Sequence, residues 1–123
     1  MADNVFNEIA NELVTVLPKG WEIVHLYSYI AKGTYEFFYY VKIDGKYIQC
    51  FDLSEKYGIQ EDSVLSVFDK LYSLLKEEQS KSKWNVCTFS LTSDGKFNMD
   101  YDYEPFPEDE FAYKNAWEKK YLK

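Results

Sequence analysis

Histidine, cysteine and glycine are scarce in this 123-residue chain: one His, two Cys and five Gly. Each shortage excludes something. His25 is the lone imidazole and lies among Val24, Leu26 and Tyr27, with no nucleophile or orienting acid nominated for it, so a structural or surface place suits it better than a general base. Cys50 and Cys87 stand apart, each inside an apolar segment, without a CxxC or a zinc-type spacing. They read as buried, inert thiols of a reduced, cytoplasmic protein. The glycines fall at turns and form neither a dinucleotide fingerprint nor a phosphate loop. No apolar run approaches the ~20 residues of a membrane span. The opening Met1-Ala2-Asp3-Asn4 lacks the basic flank and apolar stretch of a secretory leader. Cations are also short, with 14 Lys plus Arg against 21 Asp plus Glu and a net charge of -7. Phosphates are bound by neutralising cations, so a basic protein is the expected partner and nucleic acid is not.

Aromatic residues, by contrast, are abundant at 20% of the chain, 12 of them Tyr. The length suits one domain over residues 1–123. Apolar positions at helical spacing (Val5, Phe6, Ile9, Ala10, Leu13, Val14, Leu17) predict a helix over 4–17, stopped by Pro18 and Gly20. Aromatic and β-branched residues predict strands over 21–30, 35–43 and 46–51, the last two joined by Asp44-Gly45. After a turn at 54–58 comes a helix over 60–80, with Val64, Leu65, Phe68, Leu71, Tyr72 and Leu75 inward. A second hairpin spans 84–91 and 96–103 around Ser93-Asp94-Gly95. A final helix over 108–121 follows, with Tyr113, Ala116, Trp117 and Tyr121 inward. The expected fold class is α+β: an antiparallel sheet of about five strands in the order α-β-β-β-α-β-β-α, with helices packed mainly on one face.

Strand 96–103 alternates strictly. Phe97, Met99, Tyr101 and Tyr103 face one way; Asn98, Asp100, Asp102 and Glu104 face the other. Same-face carboxylates stand about 7 Å apart, so neighbours repel by ~0.6 kcal/mol in water and about 2 at an effective dielectric near 20. Such a row is a solvated outer face, an interface to a cationic partner, or a divalent-metal site of a small nuclease or phosphatase. The general base and phosphate-binding cations that the metal reading needs are not evident nearby. Residues 94–110 hold seven acids against one Lys, which concentrates most of the imbalance there. The candidate partner-binding residues are Asp100, Asp102, Glu104, Asp94, Glu108 and Asp109, with Phe38 and Tyr40 as aromatic contacts. No catalytic residue, cofactor or metal is expected.

A family resemblance rests on particular stretches. The first helix leads into Pro18-Lys19-Gly20-Trp21-Glu22 and a tyrosine-rich strand. Later come Trp84-Asn85, the run from Asp94-Gly95-Lys96-Phe97-Asn98 to Asp100-Tyr101-Asp102-Tyr103, and Trp117-Glu118-Lys119-Lys120-Tyr121-Leu122. Over nearly all its length the chain resembles the YezG-like immunity proteins of Gram-positive bacteria. The resemblance implies an antitoxin that binds and blocks the C-terminal nuclease domain of a secreted polymorphic toxin, with no turnover of its own. The charge, read by itself, expects a basic protein partner, and a nuclease that holds phosphates would present such a surface. An adaptor or chaperone of a secretion substrate is the other binding role in view.

Overall fold

The computed structural model describes residues 2–31, 34–103 and 109–122. Helix α1 (Ala2–Val14) is followed by strands β1 (Ile23–Ala31), β2 (Thr34–Ile43) and β3 (Lys46–Gln49). Strand β3 stops at Gln49, short of the expected residue 51, because a 3-10 turn (Cys50–Asp52) takes over there; the one-turn helix α2 (Ser54–Tyr57) occupies the expected turn, ahead of α3 (Glu61–Ser82). Strands β4 (Val86–Thr92) and β5 (Phe97–Asp102) and helix α4 (Glu110–Tyr121) complete the order. No described helix is long and apolar enough to cross a membrane.

All strand pairings are antiparallel and the sheet order is β3-β2-β1-β4-β5, so β1 is central. The β2–β3 hairpin turns on Asp44 (φ 52°) and Gly45 (φ 77°), the left-handed pair that a two-residue loop requires. Helix α1 ends three residues earlier than its apolar spacing predicts. Thr15, Val16 and Leu17 instead bond three residues back, to Glu12, Leu13 and Val14, which tightens the chain ahead of Pro18.

Because side chains alternate along each strand, the sheet has two distinct faces. The first carries Val24, Leu26 and Ile30 of β1, Phe37, Tyr39 and Val41 of β2, and Cys87, Phe89 and Leu91 of β4. Ile9 and Leu13 of α1 and Val64, Phe68, Leu71 and Leu75 of α3 close over it. On α3 the inward stripe includes Val67, whereas Leu65 is exposed. The helical repeat from Val64 through Phe68 and Leu71 turns position 67 inward and position 65 out. Tyr39 is fully buried here, and its hydroxyl donates to the Val16 carbonyl at 2.6 Å.

The second face has a separate, smaller core of Tyr27, Val86 and Trp117. Three helices thus share one face, while α4 alone lies across the other. The consequence corrects one expectation: the face bearing the acid row is not an open outer surface.

Candidate functional site

The register places rows of side chains under α4. Phe38 of β2, Tyr27 of β1, Thr88 of β4 and Asp100 of β5 lie side by side. Glu36, Tyr29, Val86 and Asp102 form the next row. The helix is fastened to both rows. Trp117 is buried and meets Tyr27 and Phe38 edge-on, each with ring centroids 5.6 Å apart. Its indole Nε1 donates to Thr88 Oγ1 at 2.9 Å. Lys114 Nζ sits 2.8 Å from Glu36 Oε2 on one side of the helix. On the other side Tyr113 donates its hydroxyl to Asp102 Oδ2 at 2.6 Å, and Tyr121 donates to Asp100 Oδ2 at 2.8 Å. Tyr113, Trp117 and Tyr121 recur every four residues, which points all three at the sheet.

Both Asp100 and Asp102 are therefore half-buried and held by neutral donors. A phenol that donates a hydrogen bond stabilises a carboxylate without cancelling its charge. Asn98 Nδ2 donates a further hydrogen bond to Asp100 Oδ1 at 3.1 Å. The tyrosines record the same environment. Burial, then the bond to Asp100, pushes the Tyr121 hydroxyl up to about 12. Burial and the bond to Asp102 raise Tyr113 as well. Beside these carboxylates a cleft of about 430 Å³ opens between β5 and α4, walled by Tyr101, Tyr103, Tyr113 and Tyr121, with Lys120 on its helical side.

The remaining sequence candidates fall elsewhere. Asp94 is exposed in the β4–β5 turn, where the Thr92 hydroxyl and then the Lys96 amide hold its carboxyl below the usual carboxylate range. Asp109 caps α4 by accepting from Ala112 N at 3.0 Å. Glu104 and Glu108 lie outside the described residues. Phe38 and Tyr40 are half-buried under α4: Phe38 stacks on Tyr27, and the Tyr40 hydroxyl donates to Glu118. Both pack against Trp117 and also line a second cleft, of about 350 Å³, between β2 and α4. Thr88, the hydrogen-bonding floor beneath Trp117, was not singled out by the sequence; its only signal was the alternation of Thr88, Ser90 and Thr92 with apolar residues along β4.

His25 is buried at the far end of the same face. Its Nδ1 lies 2.7 Å from Ser90 Oγ and its Nε2 lies 3.3 Å from the Tyr47 hydroxyl, with the Tyr121 ring alongside. Burial lowers its pKa below the ordinary 6.5. The unfolded chain therefore binds the extra proton first as pH falls. Stability is complete above about 6.5 and declines from there down to the folded-state pKa, with a slope of at most ~1.4 kcal/mol per pH unit. Denaturant melts at pH 7.5 and 5.5 are expected to differ in this direction, and His25→Gln is expected to flatten the difference. An equal slope in the variant would remove His25 as the cause.

Both thiols are free and buried, and burial pushes Cys50 up to about 11 and raises Cys87 further, so neither is poised as a nucleophile. Among the described residues, no group of three or more His, Cys, Asp or Glu side chains is placed to hold a metal ion.

A family model described as "Immunity protein YezG-like" matches residues 2–123. The Immunity protein YezG of Bacillus spizizenii is 29% identical over 109 residues, which is 82% of this chain and 68% of the relative. The Type VII secretion system protein EsaG of Staphylococcus aureus is 30% identical over 117 residues, 88% of this chain and 71% of the relative.

Proposed function

The chain belongs to the YezG-like immunity protein family, and from that premise we propose that it binds and neutralises a cognate toxin within the producing cell. The toxin acts through a nuclease domain and leaves by a type VII secretion route, the system named for the staphylococcal relative. Inhibition is stoichiometric, by acidic-surface binding. The observation that carries this reading is the pair Asp100 and Asp102. Their charges are fixed by neutral hydroxyl donors beside a tyrosine-walled cleft on an edge strand. A nuclease must present cations to hold phosphates, and fixed carboxylates meet such a surface without being reorganised. Complementary charge speeds encounter and penalises mismatched partners. The stiff tyrosine rings supply contact area at low entropic cost.

The test keeps the geometry and removes the charge. In Asp100→Asn with Asp102→Asn, each amide oxygen still accepts from its tyrosine. Titrated against the purified nuclease domain of its cognate toxin, the wild-type protein is expected to inhibit fully at one equivalent. The double variant is expected to bind roughly 10–100-fold more weakly, with slower association and a shallower salt dependence, while it stays folded at a cost of about 1–2 kcal/mol from bonds no longer charge-assisted. Undiminished affinity in the double variant would remove the acidic-surface mechanism and leave the immunity role standing.

A further inference from the structure

Strand β5 ends the sheet order, and no strand lies on its outer side among the described residues. The carbonyls of Lys96 and Asp102 accept from Thr92 and Asn85, so the even-numbered residues of this stretch turn their main chain toward β4. Phe97, Met99 and Tyr101 consequently turn theirs outward, as the antiparallel alternation requires. The opposite edge differs. Strand β3 is four residues long, begins with exposed Lys46 and runs straight into a 3-10 turn, features that discourage further pairing. Across β5 the pairing is one to one from Leu91↔Phe97 to Val86↔Asp102, with no bulge to twist the edge away and neither Pro nor Gly within it. Large apolar surface is exposed at both ends of the strand, Phe97 at 44% and Tyr103 at 57%.

We propose that β5 is the docking edge for the toxin, an extended basic segment of which adds to the sheet as a sixth strand; this rests on the immunity reading above. Main-chain bonds to Phe97, Met99 and Tyr101 supply the attachment, and alternating side chains supply the selection. On the α4 side the incoming strand passes Asp100 and Asp102 and the mouth of the 430 Å³ cleft. Lys or Arg at every second position enters there, with its stem against Tyr103 and Tyr113 and its charge at the carboxylates. The intervening positions are apolar and lie beside Phe97, Met99 and Tyr101. The same two carboxylates turn away strands without matching cations, as charged edges do. A second copy of this chain, with its own net charge of -7, is turned away for that reason.

Amide hydrogen exchange on the wild-type protein, free and in complex with the purified nuclease domain of its cognate toxin, tests the edge directly. The amides of Phe97, Met99 and Tyr101 are expected to exchange at least about tenfold more slowly in the complex. Those of Asn98 and Asp100, already turned to β4, are expected to change much less. Met99→Pro removes one outward N–H and is expected to weaken binding about tenfold, while Met99→Leu binds like wild type. Unchanged exchange at the three outward amides in a complex that is still inhibited would overturn the proposal. So would a free protein that sediments as a dimer with those amides already protected. If the wild-type protein fails to inhibit the toxin at all, the immunity reading fails first, and the two failures are told apart by that control. Should Met99→Pro not fold, the wild-type exchange measurement decides alone.

Discussion

Trp117→Ala is expected to cost about 3–5 kcal/mol of stability, the usual range for deleting a large buried aromatic, and to abolish neutralisation together with the docking of α4. Trp117 is the buried residue of a twelve-residue helix, and a helix of that length is marginal by itself in water. Its ring meets Tyr27 and Phe38 edge-on and its Nε1 satisfies Thr88. Truncation therefore opens a cavity, leaves a buried hydroxyl without its donor and takes away the helix's anchor in one step. What remains is the Lys114–Glu36 pair and hydrogen bonds at partly exposed sites; an ion pair of that kind contributes little. The melting temperature is expected to fall by roughly 10–20 °C for a chain of this size. Amide exchange is expected to reach the rate of an unfolded segment along α4 first, while α3 stays protected, because its core on the other face does not contain Trp117. A melt within about 1 kcal/mol of wild type, well below the cost of truncating a buried aromatic, would show that α4 docks by other means.

The second large effect is expected from Tyr113→Phe combined with Tyr121→Phe. Each substitution keeps the ring and removes one hydroxyl that donates to a carboxylate. Hydrogen bonds to charged groups contribute about 1.5–3 kcal/mol each, and the half-exposed setting places the pair nearer ~3 kcal/mol in total than the upper sum. The two sites lie on one helix and share its docking, so their costs should not add strictly. This variant complements the Asp→Asn pair: it retains both charges but loses the donors that fix them. If preorganisation of the carboxylates matters, toxin affinity falls even though the net charge is unchanged, and the fall appears mainly as faster dissociation. Guanidinium melts and inhibition titrations on the same preparations separate the two. Wild-type stability together with wild-type affinity would mean that the phenols neither hold the helix nor order the acids.

Much of the molecule was legible along the chain. The two-residue turn at Asp44-Gly45, the alternation of β5, and the 3.6-residue stripes of α1 and α3 are local properties, set by backbone sterics and the period of each element. They specify the α-β-β-β-α-β-β-α order. Membership of the immunity family was likewise readable from Asp94 through Tyr103 and the closing Trp117. Where local spacing met competing demands it erred by a residue or a turn, as at Leu65 and Val67 or at the end of α1 ahead of Pro18.

The sequence by itself determined that Asp100 and Asp102 share one side of a strand and that Tyr113, Trp117 and Tyr121 share one side of a helix. Only the tertiary structure decided that these two sides meet. A polar face looks outward when judged by hydropathy alone, yet hydroxyls and an indole N–H spaced at four residues can satisfy it. Burial of Trp117 supplies the apolar area that brings them into contact. The pairing of a helix with a distant strand is a long-range choice, made by the sum of those contacts and not by any one segment's pattern.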